Sequence, residues 1–376
     1  MEKLKIFKSV CICLLIVVFF SCDMKKEYYA VDTLKTIDKL YVGDSIKGDY
    51  SSFTLIEPQE AISVDSMMVV LTNQKSGFIN IISCASDTAI ASFGEFGHAV
   101  NEFTSFPHDI YSKVDQKTGE HLLYIPDNDD RITRIINVEK SISRGVCCVD
   151  STFKNNISSK GGEKTVVKID EGHFFYCYGI SYDDPRDNLF IPPVWCDLNG
   201  ASKWEYHPHP EIISASSPNM MFAAYTTKNQ LSPDMRNFVS AMKFIDYVSL
   251  CNLETRKVIG ITTNRTYGFE QFELLKTERD VAEKLLWYNI DVSTTNELVL
   301  VLKTHSFYGE LEKMEKTGIY NYPTFLHIYN WQGDLIKEFQ VESGIRTICY
   351  NETIGVLYCF KNTGEIVKYN IPKIIE

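Results

Sequence analysis

No C-x-x-C pair, no H-E-x-x-H and no linear nucleophile or paired-carboxylate motif occurs in the 376 residues of this chain. The first absence argues against a zinc ribbon or a dithiol redox motif, the second against a helix-borne metalloprotease site. Basic runs are lacking as well: the formal net charge is −11, and Lys3, Lys5 and Lys8 belong to a leader whose removal leaves the body more acidic still. An acidic body without a basic patch repels phosphate backbones, so no nucleic-acid partner is expected. Long hydrophobic runs are scarce. The apolar stretch from Val10 to Phe20 is too short to span a bilayer and fits the h-region of a signal peptide.

That stretch ends at Phe19-Phe20-Ser21-Cys22, which resembles the bacterial lipobox, whose cysteine is diacylated and becomes the mature N-terminus. The resemblance implies a signal peptide over residues 1–21, a lipidated tether over 22–31 and a folded body over 32–376. Membrane lipid is then a partner through Cys22, and the address is the bacterial cell envelope, at the outer membrane. Several acyl chains give firm attachment where one is marginal.

Of eleven cysteines, Cys11 and Cys13 leave with the leader and Cys22 carries lipid. Cys177, Cys251, Cys349 and Cys359 sit inside apolar strand patterns and read as small buried hydrophobes.

What is abundant is a repeated hairpin cadence. Phe325 to Phe339, FLHIYNWQGDLIKEF, reads as two strands about a Gly-bearing turn, and weaker copies recur at Ile79–Phe93, Ile132–Val146, Val194–Tyr206, Val248–Ile261 and Ile366–Ile371. Spacing of this kind predicts sheets repeated around an axis: an all-β, six-bladed β-propeller with roughly 50 to 60 residues per blade. The fourth blade is expected to open at Met220–Tyr225. The last lacks an outer strand after Asn370, and a strand near Leu40–Ile46 is expected to supply it, so that the N-terminus closes the ring. Phe272, Leu275, Ala282 and Leu285 lie near helical spacing and predict a short helix between blades.

Three further stretches carry a family resemblance. Ser232-Pro233-Asp234-Met235-Arg236-Asn237-Phe238 resembles the S-P-D-G-K turn of TolB-like propellers, with Met235 in the glycine place. Gly94-Glu95-Phe96-Gly97 through Asn101-Glu102-Phe103 resembles the link after the first blade in TolB-like six-bladed propeller lipoproteins of gut anaerobic bacteria. Tyr329 to Asp334 matches the C-terminal hairpin of the same group. The resemblance implies a TolB-like or NHL-like propeller and a lipoprotein, and no particular reaction.

Long connections, Gly94–Pro107, Gly179–Asn188, Tyr206–Pro218, Thr263–Lys284 and His305–Pro323, are all expected on one propeller face, while the opposite links are short. Residues that begin the innermost strands should ring the funnel on that face: His108, Asp109, Asn219, Trp287 and Arg346. This set suits a polar or carbohydrate-like ligand, with Trp287 as a stacking surface. His207-Pro208-His209 lacks an acidic or thiolate partner nearby, Asp127–Asp130 lacks the Gly and distal Glu of a calcium loop and reads as a solvated turn, and Gly161-Gly162 precedes no phosphate-binding helix pattern. No cofactor is expected. The sequence thus predicts an envelope-anchored binding or scaffold propeller with a protein, peptide or glycan ligand. The competing readings are a metal-assisted hydrolase or lyase at the funnel and a structural subunit docking through the propeller's side.

Overall fold

The computed structural model describes residues 31–37, 45–107, 109–127, 132–154, 163–168, 173–178, 194–199, 202–206, 224–263, 272 and 275–372. Cys22 and the leader, His108, Asn128–Asp130, Gly161-Gly162, His207–His209 and Asn219 lie outside them.

The described strands form six sheets in a β-propeller arrangement. Strands β1 (Thr33–Thr36) and β2 (Asp49–Tyr50) come first and join sheets made later in the chain. The first sheet is the meander β3 (Pro58–Val64), β4 (Met67–Thr72), β5 (Ser76–Ser83) and β6 (Thr88–Glu95). The second is β7 (Tyr111–Val114), β8 (His121–Asp127), β9 (Ile132–Asn137) and β10 (Val149–Lys154), with helix α1 (Val138–Arg144) before its last strand. The third is β11 (Glu163–Lys168), β12 (His173–Tyr178), β13 (Val194–Asn199) and β14 (Ser202–Tyr206). The fourth is β15 (Thr227–Leu231), β16 (Asn237–Met242), β17 (Val248–Asn252) and β18 (Val258–Thr262), followed by α2 (Glu278–Lys284). The fifth is β19 (Leu286–Thr294), β20 (Leu298–Phe307), β21 (Thr324–Asn330) and β22 (Leu335–Val341), with α3 (Tyr308–Thr317) after β20. The sixth is β23 (Ile345–Asn351), β24 (Val356–Lys361) and β25 (Ile366–Asn370). Second strands such as β4 are buried almost throughout, because a neighbouring sheet covers each of their faces.

Two expectations about the ring are corrected. Five blades, not six, surround the axis. Tyr111, Tyr124 and Ile135 of the second sheet share a core with Leu231, Phe238 and Cys251 of the fourth, and Tyr206 at the end of β14 joins them. These large rings fill the interval where a further inner strand would stand, and β11 lies against β8 and β9 instead. Nor does an N-terminal strand close the ring among the described residues. The first and last sheets meet directly, β3 against β23, through Ala61, Met68, Val70 and Ile82 packed on Cys349, Tyr358 and Phe360. Asn351 Nδ2 donates to the Asp65 carbonyl at 2.7 Å across that seam.

The N-terminal chain runs instead over outer edges. β1 pairs in parallel with β18, the Ile46 amide donates to the Gln340 carbonyl of β22 at 3.1 Å, and β2 pairs with β25 over two residues. Residues 38–44, which hold most of the expected strand, lie outside the described chain. Each register is short because the segment changes sheet every few residues.

Local signals explain most of the remaining elements. The stretch after Ile136 turns helical where a hairpin was expected: Asn137 caps α1 by accepting from the Lys140 amide at 2.9 Å, and Gly145 ends it at φ 67°. The predicted helix near Leu285 is present as α2, with a Thr277–Asp280 capping box. Met235 occupies a left-handed turn position, φ 60°, where glycine would be free of strain. That backbone costs about 1–3 kcal/mol, and burial of the thioether to 5% exposure returns about as much. Cys251, Cys349 and Cys359 are buried free thiols, as their strand patterns predict.

Candidate functional site at the channel mouth

The starts of the inner strands converge at one end of the axis. Arg346 of β23 donates through Nη2 to Gln59 Oε1 of β3, and Thr347 donates to the Asp291 carboxylate of β19. The Lys228 ammonium of β15 reaches Glu60 of β3 across the channel. Asp109, just before β7, lies close enough for its charge to act on both Glu60 and Lys228. Five inner strands thus bring charged groups of both signs to one mouth.

Burial dominates the electrostatics there. It raises the Glu60 carboxyl above its ordinary value, with Asp291 and Asp109 adding to the rise and Lys228 opposing it. Asp291 is raised by burial too, against Lys228 and hydrogen bonds from Thr347, from the Ile348 amide at 2.9 Å and from the Val292 amide. Lys228 is lowered by burial, but the carboxylates of Glu60, Asp291 and Asp109 more than reverse this and hold it above the usual lysine range. Lys243, which follows β16, is pushed down to about 8 by burial and then by the Lys228 and Arg346 charges. Its Nζ stands 4.7 Å from the centroid of the Trp287 ring and 5.5 Å from that of Phe244.

Trp287 is fixed by its indole N–H, which donates to the Asn289 carbonyl at 2.8 Å, and its ring lies 5.9 Å from that of Tyr322. Arg346 Nη1 donates to Asn362 Oδ1 at 3.4 Å, and Asn362 Nδ2 donates in turn to the Tyr322 hydroxyl at 2.8 Å. Of the residues expected from sequence, Asp109, Trp287 and Arg346 are therefore at this mouth, and His108 and Asn219 lie outside the described residues.

The sequence reading missed Gln59, Glu60, Lys228, Lys243 and Asp291. A signal existed in Thr-Lys-Asn-Gln-Leu, residues 227–231, directly before the Ser-Pro-Asp turn. Its first four residues are half-buried because the strand faces the channel, and this polarity disguised it as a loop. The reading placed the inner strand at Met220–Tyr225 instead, where the described residues Ala224 and Tyr225 are buried and lie outside any strand.

Farther along the axis a small cleft is lined by Ile62, Ser63, Tyr111, Gln230, Ser293 and Thr294. It is less charged than the mouth. Chemically, the mouth can recognise charge and hydroxyl groups, and Glu60 can retain a proton nearer neutrality than an ordinary carboxyl. Among the described residues no group of three or more His, Cys, Asp or Glu side chains is placed to hold a metal ion.

No protein-family model matches the sequence, and neither does any curated protein. In structure the chain is similar to a member of the DUF4221 family from Bacteroides vulgatus, with TM-score 0.53 and 10% identity over 89% of this chain and 96% of that one. It is also similar to U3-55K, with TM-score 0.47 and 9% identity over 87% of this chain and 99% of that one. The RRP9 WD40 repeats give TM-score 0.45 and 11% identity over 88% of this chain and 99% of that one. At 10% identity the first of these likenesses speaks to the fold alone.

Proposed function

We propose that this chain is a lipid-anchored protein of the bacterial cell envelope whose propeller binds a ligand at the channel mouth without transforming it. The observation that carries the reading is the convergence of Gln59, Glu60, Asp109, Lys228, Trp287, Asp291 and Arg346, contributed by five inner strands, on one opening. Polar groups placed this way around a half-buried indole are what orient a small polar ligand. The leader and Ser21-Cys22 support the address, as does the similarity of the Gly94–Phe103 link to TolB-like propeller lipoproteins.

A thermal-shift screen against glycans, peptides and divalent ions tests the binding reading, because a ligand of the native state alone raises the melting temperature. The stabilising ligand is expected to lose its effect in Trp287→Ala and Arg346→Ala while both variants stay folded. A ligand that stabilises both variants as fully as the wild type would place binding elsewhere. The anchor has its own test. Labelled palmitate is expected in the wild-type protein and absent from Cys22→Ala, and equal labelling of the two would refute acylation at that residue.

A further inference from the structure

Among the described residues, no acidic partner completes the environment of Lys243. It lies in the hairpin connection between β16 and β17, and its carbonyl accepts from the amides of Tyr288, at 2.8 Å, and Asn289, at 3.3 Å. This fastens the connection to the start of β19 and holds the ammonium over Trp287. The side chain is half-buried between Trp287 and Phe244, and among the described residues no carboxylate comes within ion-pair distance of its Nζ. A desolvated cation held by two aromatic rings alone is costly to keep charged, and an anion supplied from outside removes that cost.

The charges that face Lys243 narrow the choice of anion. They are Lys228 from β15, Arg346 from β23, Glu60 from β3 and Glu315 from α3. Lys228 is occupied by Glu60, whereas among the described residues the Arg346 guanidinium is held by the neutral amides of Gln59 and Asn362 alone. Two cations therefore face the opening with no bonded counter-charge among the described residues. Glu60 and Glu315 face the Lys243 ammonium and penalise an incoming dianion, so a singly charged carboxylate fits better than a phosphate. Beside Lys243 stands the half-buried Trp287 indole, which suits the C–H face of a sugar ring. An extended peptide would instead seek a free sheet edge.

We propose that the channel mouth receives a monocarboxylated sugar, its carboxylate set against Lys243 and Arg346 and its ring against Trp287. This rests on the binding reading above and specifies its ligand.

Glucuronate, glucose, N-acetylglutamate and inorganic phosphate are the probes, read by melting temperature at constant pH and ionic strength. Glucuronate at about tenfold over its dissociation constant is expected to raise the melting temperature by roughly 2 °C, and glucose by much less. Lys243→Gln should abolish the glucuronate shift while its own melting temperature equals or exceeds that of the wild type, because it removes a half-buried charge. Lys243→Arg should retain most of the shift. No glucuronate effect up to about 50 mM, a millimolar ceiling for weak recognition, would overturn the inference. So would an equal shift with glucose, an equal or larger one with N-acetylglutamate or phosphate, or full retention in Lys243→Gln. If a different ligand stabilises the wild type and loses its effect in Trp287→Ala, the binding reading stands and the sugar carboxylate falls. If no compound of any class shifts the wild type, both fall.

Discussion

Asp127→Ala is expected to destabilise the protein by about 3–5 kcal/mol, the usual cost of breaking a buried ion pair by removing one member. Asp127 ends β8 with its side chain fully buried, which corrects the solvated turn that its acidic neighbours suggested. Arg134 Nη2 lies 3.1 Å from its carboxylate, Thr104 donates from both its amide at 2.9 Å and its hydroxyl at 2.5 Å, and Ser105 donates at 3.2 Å. Arg134 also donates to the Val100 carbonyl at 2.9 Å and stacks 5.2 Å from the centroid of Phe103. The carboxylate thus pins the link between the first two sheets to the second, and its loss would free the link and remove the charge that lies 3.1 Å from a buried guanidinium. A fall in melting temperature of about 4–7 °C is the corresponding readout for a domain of this size.

The same residue sets an acid limit. Burial pushes the Asp127 carboxyl up, but the Thr104 hydrogen bonds and the Arg134 charge outweigh it and hold the group below the ordinary aspartate value of 3.8. The stabilisation is therefore fully present above about pH 4 and is lost as pH falls through the depressed folded value. Asp127→Asn should show a shallower loss of stability in that acid range. Parallel acid curves for variant and wild type would show that the pair contributes nothing to it.

The second large effect is expected at Lys303→Met. Lys303 of β20 and Asp246, in the connection between β16 and β17, lie 2.6 Å apart with 1% and 4% of their side chains exposed. The pair ties the fourth sheet to the fifth. The single substitution leaves the Asp246 carboxylate buried alone and should cost about 3–5 kcal/mol, whereas Asp246→Asn combined with Lys303→Met removes both charges and should recover much of that loss. Urea unfolding of the two singles and the double measures the coupling. If the losses of the two singles simply add in the double, the pair does not bind the sheets together.

Much of the strand content was legible because the apolar runs are short, regularly spaced and bounded by turn residues. The hairpin at Phe325–Phe339 is β21 and β22, with Gly333 at φ 79° in its turn. Periodicity cannot report how sheets sit around an axis, and that is decided by the bulk of side chains such as Tyr111, Tyr124 and Phe238, which bring the second and fourth sheets together. The candidate site was half legible. Trp287 and Arg346 stand in apolar surroundings and attract notice, whereas Lys228 lies in a polar strand and Glu60 gains its meaning only from Lys228, 168 positions away. A pattern method reads neighbours in sequence, and a funnel is assembled from neighbours in space. Asp127 misled for a related reason, since its partners Thr104 and Arg134 come from outside its acidic run.

The N-terminal path across three outer edges has a mechanical consequence. β1 runs parallel to β18 in the register Thr33–Ile259 to Thr36–Thr262, and the Asp32 and Ile37 amides extend the bonding at either end, each at 2.9 Å from its carbonyl. Lys35 crosses to Asp334 of the next sheet at 2.5 Å. Tension applied through the chain ahead of Val31 and directed along β1 loads these hydrogen bonds together in shear, so none is peeled off alone. The contacts of Ile46 with β22 and of β2 with β25 lie behind β1 along the chain and come under load only after it slips. A body held from its N-terminus thus meets a pull first at an outer edge of the fourth sheet, and the inner strands at the channel mouth are the last part of the molecule to feel it.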